Sequence, residues 1–156
     1  MNTSLLAALA TQNFIISQQF MTFLALWAGA NIVGGFSLTL HRRYRYFWQM
    51  MAMWNIFNLS LALISLLFSK PLTSFAVMEV ASLLTQTQLF VAFNWALNLS
   101  YILIGLGLRL IGSYRQEPQL RGYGMAIVIQ GAFLLAFDTA LFWSHYQLLA
   151  KFIEKL

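Results

Sequence analysis

Cysteine is absent from the chain and charge is scarce. Without cysteine there is no disulfide framework, no thiol chemistry and no thiolate zinc site, and the redox compartment stays open. Charged residues make up 8% of the 156 residues, where a soluble domain carries about a quarter. So few charges cannot cover a water-exposed surface, whereas a bilayer removes the need to. The net charge of +5 is carried by arginines at the ends of apolar runs, which suits lipid headgroups and argues against nucleic acid as a partner. The first charge is Arg42, so there is no positive region ahead of the first apolar run. A cleaved signal peptide is therefore not expected, and no prenylation or myristoylation motif is present.

What the chain has is apolar length: 60% of it is hydrophobic. Four runs, about 20–40, 47–68, 89–111 and 122–146, are long enough to cross a hydrocarbon core of ~30 Å. The expected fold class is all-α: a polytopic membrane protein, a four-transmembrane-helix bundle with short amphipathic helices at the outer side. Residues 1–19 form an amphipathic N-terminal segment, read either as a helix at the interface or as an extension of the first span. Residues 20–146 form the transmembrane domain. Within it, 72–88 is a short amphipathic helix or a lead-in to the third span. Residues 147–156 form an amphipathic tail, with Leu148, Leu149, Phe152 and Ile153 on one face and Lys151, Glu154 and Lys155 on the other. Together the three pieces are expected to form a helical collar. Ala25-x3-Gly29, Ala30-x3-Gly34 and Ala132-x3-Ala136-x3-Ala140 space small residues for close helix contact, expected mainly within the bundle.

Arginine and lysine set the orientation. Arg42, Arg43, Arg45, Arg115 and Arg121 lie in the first and third turns, with Arg109 at their border. Lys70, Lys151 and Lys155 lie on the opposite side. Both basic turns are thus placed in the cytoplasm and both termini outside. The six arginines are the expected contacts to anionic lipid or to the cytoplasmic side.

The spans carry a polar seam. Asn31, Asn58 and Asn98 fall near the centres of their runs, with Asn94, Tyr101 and Gln130 close in depth. Lipid offers amides no hydrogen-bond partners, so these side chains are expected to face one another. As glue each such bond is worth ~0.6 kcal/mol on average. Asp138 is the costliest residue of the seam, at about 2.5–3.5 kcal/mol on insertion scales. An asparagine would bond similarly for less. The carboxylate therefore points to a proton-binding or solute-binding role, or to a charge supplied by another subunit. The alternative is a neutral acid bonded to Asn94 or Asn98.

Other chemistry finds no support. His41 and His145 sit at opposite ends of spans, ~30 Å apart, too far to share a haem, and each is expected at an interface. No metal-ligand spacing appears, and Ser60 and Ser100 have no neighbouring base to activate them. No cofactor is expected.

The pattern Trp27-x3-Asn31-x2-Gly34-Gly35, Asn98-x2-Tyr101-x3-Gly105 and Gln130-Gly131-x6-Asp138 resembles small, uncharacterised four-span membrane proteins of bacteria. That resemblance implies an integral protein of the bacterial cytoplasmic membrane and no known activity. The leading expectation is a non-enzymatic component, surrounded by membrane lipids, that self-associates as a homo-oligomer or joins a larger membrane complex. The alternative is a small channel or transporter for an ion, a proton or a polar solute, working through Asp138.

Overall fold

A computed structural model describes residues 3–39, 44–72 and 76–155. They form four helices: α1 (Thr3–Leu38), α2 (Arg45–Phe68), α3 (Val77–Tyr114) and α4 (Pro118–Ile153). The fold is an all-α four-helix bundle, and every helix is long and apolar enough to cross a membrane. The expected contact residues Arg42 and Arg43, like His41, lie outside the described residues.

The helices are unequal. With 36, 38 and 36 residues, α1, α3 and α4 are about 54–57 Å long, whereas the 24 residues of α2 reach about 36 Å. Three helices therefore run on past the end of α2. Of the segments anticipated as amphipathic pieces, residues 3–19, 77–88 and 147–153 are continuous with α1, α3 and α4 as their extensions, and they pack together. Leu6, Leu9 and Ala10 of α1, Val80 and Leu84 of α3, and Leu148 and Phe152 of α4 form one buried apolar cluster at the end bearing both termini. Leu84 is only 1% exposed there. Leu84→Ala is expected to cost about 2–5 kcal/mol. A melt in detergent followed by circular dichroism would register that loss, with amide exchange rising first in the extension.

The turn between α3 and α4 is short because its backbone closes on itself. Gln116 takes a left-handed φ of 55°. The Glu117 N–H donates to the Gly112 carbonyl at 2.8 Å, and the Gln116 N–H donates to that of Ser113 at 3.4 Å. These two bonds satisfy carbonyls that a helix end otherwise leaves bare. Pro118 then starts α4, where its missing N–H costs nothing.

Glycines bring α3 and α4 into contact. Gly105 and Gly112 on α3, and Gly124 and Gly131 on α4, are each seven residues apart and so share a helix face. A Cβ on Gly124 would lie 2.5 Å from the Gly105 carbonyl oxygen and 2.6 Å from the Arg109 nitrogen. The small residues singled out from sequence lie elsewhere. Ala132, Ala136 and Ala140 are exposed, and a Cβ on Gly29 or Gly34 would meet nothing within 4 Å. Their spacing was helical, but spacing does not say which face turns inward.

Helix α4 has the most buried residues and packs against all three others, whereas α2 and α3 scarcely touch each other. On the α1 side an aromatic ladder closes the bundle. Trp27 stacks on Phe133 at 4.0 Å, and Phe20 meets Phe137 edge-on at 5.4 Å.

Candidate functional site

The seam closes on one pair. Asn98 Nδ2 donates to Asp138 Oδ2 at 2.6 Å, and both residues are buried. This bond ties α3 to α4 at the middle of the bundle. The position follows from pattern. Asn94, Asn98 and Tyr101 recur at helical spacing on α3, and Leu134 and Asp138 do so on α4. The glycine contacts then hold those faces together.

Because α2 and α3 stand apart, a cavity of about 540 Å³ opens between them and reaches Asp138. Its polar wall is made by Asn58, Asn94, Asn98, Tyr101 and Asp138, and the rest is largely apolar. Trp54 of α2 crosses to Tyr101 of α3, edge-on at 4.8 Å. Five residues anticipated from sequence thus share one cavity.

The other two do not join them. Asn31 is half-buried and donates to the Trp27 carbonyl of its own helix at 2.8 Å. Gln130 is 1% exposed, and neither of its amide atoms has a hydrogen-bond partner among the described residues. Asn55, fully buried, donates to the Met51 carbonyl at 2.8 Å, and its Oδ1 accepts from Asn58 at 3.4 Å.

A second polar layer was not anticipated. It lies between the terminal apolar cluster and the middle of the bundle. The Ser17 hydroxyl donates to the Asn13 carbonyl at 2.9 Å, and its oxygen lies 3.4 Å from His145 Nε2. Gln88 Nε2 donates to the Phe142 carbonyl at 3.3 Å. Asn13 Oδ1, Gln88 Oε1 and His145 Nδ1 are buried without partners among the described residues. His145 is 1% exposed, so its imidazole is turned into the bundle. The reason is that α1 and α3 extend alongside α4 at that level and cover the imidazole. In sequence, Asn13 and Ser17 belong to the polar set of the N-terminal segment, read either as a helix at the interface or as an extension of the first span, with no partner assigned to them. Their four-residue spacing was the available signal.

The arginines divide as well. Arg109 and Arg121 line a different cavity at the α3–α4 turn, while Arg45 and Arg115 are exposed outside it. Chemically, the Asp138 site offers one carboxyl group and several amides. It can hold a proton, a cation or a hydrogen-bonding solute. No nucleophile stands beside a base there. Among the described residues, no three His, Asp or Glu side chains cluster as metal ligands would.

A family model covers residues 23–139, three quarters of the chain and the whole of the Asn98–Asp138 pair. The chain belongs to DUF6992, a family of unknown function. The DUF6992 match ends before His145, so the second polar layer lies partly outside it. No curated protein and no solved structure matches the chain.

Proposed function

We propose that this DUF6992 chain is a multi-pass integral protein of a bacterial cytoplasmic membrane, a non-enzymatic component that self-associates or serves as a subunit of a larger complex. One observation carries the reading: the molecule is inside-out relative to a water-soluble one. Phe57, Leu67, Phe68, Leu103 and Leu110 are between 69% and 74% exposed, while Asn55, Asn98, Gln130 and Asp138 are buried. In water that exposed surface would drive aggregation. In hydrocarbon it is solvated, and the polar side chains turn inward, away from lipid. On this reading residues 20–146 are the membrane domain and the flanking segments are its outer extension. The arginine bias orients both basic turns to the cytoplasm.

Because the chain has no cysteine, single introduced cysteines report topology directly. A membrane-impermeant maleimide is expected to label Met78→Cys from outside, Tyr114→Cys only after the inner membrane is breached, and Phe57→Cys in neither state. These positions are 79%, 89% and 69% exposed. Reversed labelling overturns the orientation. A chain recovered in the soluble fraction overturns membrane integration.

The cavity at Asp138 favours a second reading, handling of a cation or polar solute. Asp138→Asn keeps an acceptor for Asn98 and removes the ionisable carboxyl group. If solute handling is the function, the variant stays folded and assembled, and any flux or growth phenotype traced to the chain disappears. A phenotype that persists leaves the component reading alone.

A further inference from the structure

We infer that the cavity at the α3–α4 turn is a binding site for an anionic phospholipid, with its phosphate between Arg109 and Arg121 and an acyl chain along the exposed face of α4. The inference rests on the membrane reading above.

The cavity measures about 850 Å³ and lies where the start of α2, the end of α3 and the start of α4 meet. Arg109 and Arg121 both line it, and among the described residues no acidic side chain does. A guanidinium presents a planar fork of donors matched to phosphate oxygens. Among the described residues, Arg109 Nη1 donates to the soft Met125 sulfur, at 3.4 Å. Trp48 and Tyr44 line the same cavity, and such amphipathic rings settle at headgroup depth.

The apolar half of the ligand has a track. Met125 and Ile129 form the far wall of the cavity. Ala132, Ala136 and Ala140 continue the same face at helical spacing, and all three are exposed. Short side chains keep this face low, so an acyl chain can lie against it. Ile129 and Asp138 are nine residues apart, about two and a half turns, so this face is opposite the Asp138 cavity. The two sites are therefore separate. Charge complementarity at one end and a hydrocarbon track leading from it select a lipid over a soluble phosphate.

The test uses the full chain purified in a neutral detergent, with binding read by native mass spectrometry and by thermal shift. Phosphatidylglycerol and phosphatidylcholine of identical acyl chains are compared, with glycerol 3-phosphate as the chainless probe. Phosphatidylglycerol is expected to bind at least about tenfold more tightly than phosphatidylcholine, and the Arg109→Gln/Arg121→Gln variant to lose that preference. Arg115→Gln, outside the cavity, should keep it. Ala136→Leu should weaken binding of both lipids by blocking the track. Equal binding of the two lipids, an Arg115→Gln loss matching the double variant, or glycerol 3-phosphate binding as tightly as the lipid overturns the inference. If the double variant misfolds, Arg121→Lys alone decides: it keeps the charge and should retain part of the preference. Alkaline carbonate extraction, run in parallel, reads the membrane reading by itself.

Discussion

Gly124→Leu is expected to part α3 from α4 and abolish the folded bundle. At this position the helices touch backbone to backbone: an added Cβ would lie 2.5 Å from the Gly105 carbonyl oxygen and 3.0 Å from the Arg109 Cα. Backbone cannot rotate aside as a side chain can, so the axes must separate. Overpacking a core costs about 1–3 kcal/mol where side chains can adjust, and this site is harsher. Parting the axes also loosens the Asn98–Asp138 bond. Helix content and melting temperature in detergent measure the effect. Gly107→Ala is the control, since nothing lies within 4 Å of its added Cβ. It is expected to be neutral or to stabilise by up to about 1 kcal/mol through helix propensity.

Asn98→Leu is the second large effect. It leaves Asp138 Oδ2 without the amide that holds it at 2.6 Å. An acceptor of this kind left bare inside the bundle costs about 1–3 kcal/mol. Adding Asp138→Leu removes the stranded carboxyl, so the double variant should be more stable than Asn98→Leu alone. That inversion of additivity identifies a coupled pair. Chemical denaturation of the four proteins in mixed micelles supplies the cycle. Strict additivity would show that the two side chains act independently.

The architecture was legible because one physical demand dominates the chain. Its long runs with almost no charge admit few folds other than helices that shield their backbones. The α2 span, expected at 47–68, falls within one helix running from Arg45 to Phe68. Where the sequence left alternatives, packing chose between them. The first nineteen residues fitted a surface helix or an extension, and only the partnership of Leu6 with Leu84 and Phe152 selects the extension. Asp138 stood out because a carboxylate is costly in hydrocarbon. Its partner Asn98 was one of several asparagines at similar depth, and only the phase of α3 against α4 separates it from Asn31. That phase comes from Gly105, Gly112, Gly124 and Gly131, whose seven-residue spacing was less conspicuous than the four-residue alanine stripe. The burial of His145 was not legible because cover by a neighbouring extension leaves no mark in its own run.

The central position of α4 has a consequence for biogenesis. Helices leave the ribosome in order, and earlier segments must wait for later ones. Helix α1 packs extensively on α2, whereas α3 scarcely touches α2 and meets α1 only lightly, so α3 has little to hold it to the α1–α2 pair before α4 is made. On the membrane reading proposed above, Asn98 lacks its Asp138 partner until then, a state open to quality-control proteolysis. Nascent chains halted before Pro118 should therefore be short-lived, and α4 supplied as a separate peptide should rescue them.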